Sequence, residues 1–264
     1  MTTTGPVEMA SRSLATDGGF VAIADVAAAL AETGAGSSYR LIGGVAVMLH
    51  VQRLGLDLTL RATADADIGV PLHALQSPRL VDGIEARGYR KTAGNRWERQ
   101  VDDRRVAAVD LLIPAYRTRA RQNVRVGDHV TTEVPGLAVA LKRRPVVVDA
   151  HFLLTDGRQL TATAVLPDAI GCLALKAGAR TVRHDSRDVE DLWRCLEIAA
   201  AEGVRSEDFS GDSALADVAR LLVREFGAGG TALPELTADL QPAAAARLRT
   251  RLRALVAEVV SNPG

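Results

Sequence analysis

Cysteine is close to absent from this 264-residue sequence, which holds only Cys172 and Cys195. Two thiols build no disulfide framework and offer no zinc-ligand spacing, so a reducing compartment is expected. Aromatic residues make up 3% of the chain, and a core must therefore be assembled mainly from Ala, Val and Leu. Lysine is scarce as well: Lys91, Lys142 and Lys176 stand alone among 32 basic residues, and 32 acidic residues balance the total to zero net charge. A neutral chain does not announce a nucleic-acid binder, and any basic surface has to be local. No run approaches the roughly 18 uncharged apolar residues of a membrane span. The opening stretch MTTTGPVEMASRSLATDGG has no apolar signal core. A cytoplasmic protein with no membrane partner is the expectation.

Apolar residues reach 47%, enough for one large domain or two modest ones. Residues 1–19 read as a loose tail. FVAIADVAAALAETGAG (20–36) predicts a helix ended by glycine, and YRLIGG a short buried strand entering a turn. GVAVMLHVQRLG resumes a helical pattern that stops at Gly55. LTLRATADADIGV is rich in strand formers, and Pro71 opens a further helix that Pro78 either splits or bends. NRWERQVDDRRVAAVDLLIP predicts two strands joined by a turn at Asp102-Asp103, and RPVVVDAHFLLTDGRQLTATAVLP another pair turning at Asp156-Gly157. After Pro167 every segment reads as helix. The fold class expected is α+β: a mixed sheet flanked by helices over residues 20–166, then a helical part over 167–264.

The chemistry concentrates in RATADADIGV (61–70). In a strand, residues i and i+2 share a face, so Asp65 and Asp67 stand side by side with Ala64, Ala66 and Ile68 turned to the core. Adjacent anions call for a cation, and a divalent metal with oxygen ligands suits them. A third acid, Asp110, sits inside the apolar run AAVDLLIP, where an unpaired carboxylate is costly. Strands lying side by side would bring all three acids to one metal-sized pocket. The plainer alternatives are a solvated turn for Asp-x-Asp and an arginine salt bridge for Asp110. Gly43-Gly44, between a strand and a helix, is either a plain tight turn or a place where phosphate oxygens approach free helix N–H groups. Together the three features suit metal-assisted nucleotidyl transfer.

These residues resemble a known pattern. LIGGVAVML followed by RATADADIGV is similar to the Gly-Gly and Thr-x-Asp-x-Asp elements of the AbiEii-like and MenT-like nucleotidyltransferase toxins, within the polymerase-β superfamily. CLALKAGARTVRHDSRDVEDLWRCL resembles that family's helical lysine followed by an Arg-Asp-x-x-Asp-Leu element, here Lys176 and then Arg187, Asp188, Asp191 and Leu192. The resemblance runs from about Tyr39 to Leu196. It implies a polymerase-β-type domain whose active site is completed by the helical part. It implies that Gly43, Gly44 and Thr63 hold the triphosphate, that Asp65 and Asp67 bind Mg2+ or Mn2+, and that Asp110 serves as metal ligand or general base. Lys176 would contact the nucleotide phosphates, and Asp188 would support the site by orienting Lys176. Read from the residues alone, Lys176 is equally a snorkelling surface lysine and Asp188 a helix-N-terminal acid.

The family resemblance implies transfer from a nucleoside triphosphate to the tRNA 3′ end, with a cognate antitoxin protein as a further partner. A local basic cluster, Arg117, Arg119, Arg121 and Arg125, suits RNA phosphates, as do Arg247, Arg249, Arg251 and Arg253 on the last helix, although a solvated helix face explains the latter equally. With few aromatics, backbone and end recognition is expected rather than base reading. A small-molecule nucleotidyltransferase, such as an antibiotic-modifying enzyme, and a non-catalytic nucleotide-binding relative are the competing readings. The five histidines show no metal spacing and receive no role.

Overall fold

The structure is a computed structural model that describes residues 5–32, 38–59, 63–116, 120–183 and 185–260. It divides into two compact units, residues 1–168 and 169–264. That division falls within two residues of the border expected at Pro167.

The first unit contains two sheets. The smaller has the order β1 (Val7–Ala10), β9 (Val146–Leu153) and β10 (Gln159–Leu166). β1 runs parallel to β9, Val7 opposite Ala150, so part of the stretch expected to be a loose tail is strand. Val7 and Met9 alternate inward, and their burial fixes the segment. β9 and β10 form the expected hairpin.

The larger sheet has a main path of β2 (Arg40–Ile42), β3 (Ala66–Gly69), β6 (Arg105–Pro114), β5 (Arg96–Asp102) and β4 (Arg90–Ala93). β7 (Val124–Val126) and β8 (His129–Val134) form a hairpin joined to it through β8. Leu112 of β6 pairs with Gly69 of β3 and with Thr132 of β8, so those two strands lie on opposite edges of β6. β3 and β8 run parallel to β6, while β2 and β5 are antiparallel to their neighbours; the sheet is mixed, as expected. The turn joining β5 to β6 is Asp103–Arg104, one residue later than predicted, because Asp102 still pairs with Arg105.

Helix α1 (Leu14–Glu32) packs against both sheets, stacking Phe20 on Phe152 of β9 with ring centroids 4.3 Å apart. It starts earlier than the predicted residue 20, and the glycine expected to end it, Gly36, lies outside the described residues. By length and composition it is apolar enough to cross a membrane, but most of it is buried inside this unit as a core helix. Its close seat depends on Gly18, where a Cβ would run into the carbonyl of Val106 on β6. Asp17, fully buried in its first turn, accepts from the Thr155 amide and hydroxyl at 3.0 and 2.5 Å and from Arg105 at 3.3 Å. Burial opposes its charge, but bonds from Ser11, Thr155 and Arg105 outweigh that and hold its carboxyl below the usual range. α2 (Gly43–Arg53), α3 (Leu72–Gln76), α4 (Pro78–Glu85) and α5 (Leu137–Lys142) complete the unit, and the break between α3 and α4 falls at Pro78 as the sequence suggested.

The second unit is helical: α6 (Ala169–Val182), α7 (Ser186–Ala201), α8 (Ser213–Phe226), α9 (Leu233–Thr237) and α10 (Pro242–Val259). α7 packs on α6 and α10, and Leu192, Cys195 and Leu196 are completely buried there together with Leu222, Phe226, Leu252 and Leu255. Both cysteines are buried free thiols. On α10 the apolar face is as expected, with Leu252, Leu255, Val256 and Val259 buried and Leu248 half-buried.

Candidate metal centre

The larger sheet has an apolar face and an acidic face. Ala66, Ile68, Trp97, Val109 and Leu111 are at most 1% exposed and join the core that contains α1. Strand alternation turns their neighbours Asp67, Arg96 and Asp110 the other way. Ala64, expected to face the core, is exposed, because the chain enters β3 only at Ala66.

Register brings the acids together. Ile42 lies opposite Asp67, Asp67 opposite Asp110, and Asp110 opposite Arg96, so a single row crosses β2, β3, β6 and β5. Asp65 stands just before β3 and joins the group. One carboxylate oxygen from each of Asp65, Asp67 and Asp110 lies within 4.8 Å of the others. Asp65 and Asp67 are half-buried and Asp110 is buried.

Three carboxylates this close repel strongly, and the chain offsets the repulsion in part. The Arg96 guanidinium reaches Asp110 Oδ2 at 2.8 Å and Asp65 Oδ2 at 3.4 Å through one nitrogen, while its Nε donates to Glu98 Oε1 at 2.8 Å. Asn95 Nδ2 donates to Asp110 Oδ1 at 2.9 Å, and Thr132 in turn donates to the Asn95 side-chain carbonyl at 3.2 Å. Compensation is incomplete. Burial pushes the Asp110 carboxyl up, Asp65 and Glu98 add to the rise, and Arg96 opposes it, so that it titrates at about 6 against an ordinary 3.8.

The glycine bend touches the same group. Gly43 has φ +75°, a conformation that disfavours any residue with a Cβ, and a Cβ built there would collide with Asp67 Oδ2. Gly43 therefore lets the chain turn from β2 into α2 while passing against the Asp67 carboxylate. Ile42 before it offers no side-chain cap, and the Asp67 carboxylate lies against Gly43, the first residue of α2, at the positive end of the helix dipole. β2 is pinned by the buried Arg40, which donates to the carbonyls of Ala140, Leu141 and Arg143 at the end of α5. Thr63 is half-buried two residues before Asp65, in a stretch whose backbone lies against Gly19 of α1.

In the helical unit, Lys176 is buried and donates to Asp191 Oδ2 at 2.7 Å, while Arg194 donates to the other oxygen of Asp191 at 3.0 Å. Asp188, also buried, accepts two bonds from Arg183 at 2.6 and 3.0 Å. The carboxylate bonded to Lys176 is thus that of Asp191 and not Asp188. Burial excludes the snorkelling alternative for Lys176. Of the basic cluster, Arg117 and Arg119 lie outside the described residues. Arg121 forks onto Glu133 at 2.7 Å, and Arg125 is exposed with its Nε on the Gly127 carbonyl. On α10, Arg251 pairs with Glu197 and Arg249 with Thr237.

No model of a known protein family matches the chain, and no curated protein matches it.

Asn95, Arg96 and Glu98 were not singled out by the sequence reading. A signal was present: counting outward along the predicted hairpin from its Asp102-Asp103 turn brings Arg96 within one position of Asp110.

Proposed function

We propose that this chain is a Mg2+-dependent nucleotidyltransferase of the AbiEii type, built on a polymerase-β-like domain. It moves a nucleoside monophosphate from a nucleoside triphosphate to a hydroxyl acceptor, foremost the tRNA 3′ end, as the cytoplasmic toxin of a toxin–antitoxin pair. The observation that carries the reading is the convergence of Asp65, Asp67 and Asp110 within 4.8 Å, beside the Gly43 bend.

The donor set fits Mg2+ or Mn2+. It consists of hard carboxylate oxygens, three of which converge where the one described bridging cation is Arg96. Asp65, Asp67 and Asp110 would be the ligands, and a bound divalent ion would neutralise phosphoryl oxygens and ease loss of the acceptor hydroxyl proton. Gly43, Gly44 and the first amides of α2 suit triphosphate oxygens, because the start of a helix favours anions. Asn95 holds Asp110 Oδ1 and Arg96 holds Oδ2, so Asp110 can take the hydroxyl proton at Oδ2 only once Arg96 has left that oxygen. Thr63 and Lys176 keep the roles toward the nucleotide phosphates implied by resemblance, whereas Asp188 is bonded by Arg183 and the carboxylate that holds Lys176 is that of Asp191.

Incubation with labelled nucleoside triphosphates, Mg2+ and total tRNA should give labelled RNA, and Asp67→Ala should abolish it. Label on a low-mass acceptor would move the activity to small-molecule modification. Nucleotide binding without any Mg2+-dependent transfer would refute the enzyme reading. Conditional expression in a bacterium should arrest growth with the wild type and not with Asp67→Ala; equal growth would refute the toxin role.

A further inference from the structure

Arg96 is the one cation with bonds to both Asp65 and Asp110 among the contacts described. Its bonds divide between two docks. One terminal nitrogen bridges Asp65 and Asp110, where a metal ion would have to sit, while the Nε edge holds Glu98. Glu98 is two residues along β5 and hence on the same face. Both side chains are about one-third exposed, so the guanidinium can turn toward solvent without disturbing Trp97, which is buried on the opposite face. Only the terminal nitrogen has to leave the acids; the bond to Glu98 can persist.

We propose that Arg96 is a built-in counter-ion gate: it occupies the cation position between Asp65 and Asp110 and withdraws onto Glu98 when a divalent ion enters. This rests on the metal reading of the acidic group given above. In the metal-free protein the gate keeps three crowded carboxylates from forcing the sheet apart. On loading, the withdrawn guanidinium remains at the rim of the site, and its planar fork is suited to an incoming phosphate. Arg96 is a positioning residue here, since it acts on metal occupancy through Asp65 and Asp110.

Binding of Mn2+ alone, followed by the electron paramagnetic resonance signal of the free aqueous ion, separates this gate from a structural tie. Arg96→Gln should tighten Mn2+ binding by roughly tenfold or more, because a resident positive charge is removed from the site. Glu98→Gln should weaken it by roughly threefold or more, because Arg96 loses its outer dock and stays on the acids. The double variant Arg96→Gln/Glu98→Gln should bind like Arg96→Gln. That non-additivity is what simple charge counting does not produce. Folding is checked by the Trp97 fluorescence spectrum. Should Arg96→Gln fail to fold, Arg96→Lys keeps the charge without the fork, and adding Glu98→Gln to it should change Mn2+ affinity little.

Unchanged or weaker Mn2+ binding in folded Arg96→Gln overturns the gate. So does a Glu98→Gln effect that persists in full in the Arg96→Gln background. A wild type that binds no Mn2+, or binds it as well as Asp67→Asn does, refutes the metal reading itself; it is told apart from failure of the gate alone, in which wild type binds Mn2+ and Asp67→Asn does not.

Discussion

Asp110→Asn should make the metal-free protein more stable at neutral pH, although it removes a partner of Arg96. The wild-type carboxyl titrates at about 6 in the folded protein, against 3.8 when unfolded. Between those values the folded state holds more protons than the unfolded one, so rising pH lowers stability through that window and the penalty is complete above it. At about 1.4 kcal/mol per pH unit, the gap is worth about 3 kcal/mol at pH 7.5. Asparagine has the size of the protonated acid and never carries the charge. The advantage of the variant should therefore be small near pH 4.5, grow toward pH 6 and level off near 2–3 kcal/mol, as an order of magnitude. Urea unfolding can be followed by the fluorescence of buried Trp97, in a Trp193→Phe background so that the first unit alone is reported. The comparison needs a chelator, because a bound divalent ion reverses the sign by favouring the charged form. A variant that is less stable than wild type at pH 7.5 would refute the reasoning: Asp110 would then be an ion-pair anchor whose attraction to Arg96 exceeds its burial cost.

Other consequences are open to measurement. Mg2+ at about 100 times its dissociation constant should raise wild-type stability by about 2.7 kcal/mol and leave Asp65→Ala unaffected, as read by the same unfolding curves. Gly43→Ala should lose about 1–2 kcal/mol through the left-handed backbone alone, and should also weaken Mn2+ binding because the new methyl displaces Asp67; unchanged affinity would show that the bend and the acid are independent. Lys176→Met should destabilise the helical unit by about 3–5 kcal/mol by leaving Asp191 buried with one partner fewer, and adding Asp191→Leu should recover most of it. A Lys176→Met protein of wild-type stability would refute the claim that Asp191 depends on Lys176 as its buried partner.

Most of the framework was legible because its signals are local. Glycine stops, proline breaks and the change of texture at Pro167 marked α2, α3, α4 and the border of the helical unit. Asp65, Asp67 and Asp110 were legible for a related reason: a charge inside an apolar, strand-forming run has few places to go. What escaped depends on pairing over distance. β1 is four residues that become a strand only because β9 offers an edge, and nothing in VEMA itself demands it. Arg96 looks like any arginine on a half-polar strand until the register with β6 sets it opposite Asp110. The expected support for Lys176 is Asp188, which shares a helical face with Asp191 three residues on. Side-chain reach across to α6, which spacing along α7 does not encode, decides that Asp191 takes Lys176.

The two-residue connection Asp103–Arg104 has a bearing on what this lineage can tolerate. Strand side chains alternate with a period of two, so one added residue there, with the rest of the hairpin held in line, would invert every side chain of β5. Trp97 would swing out over the carboxylates and the guanidinium would be driven into the oily layer beneath α1. Insertions that most surface connections absorb without harm would here exchange solvent-facing and interior chemistry in a single step.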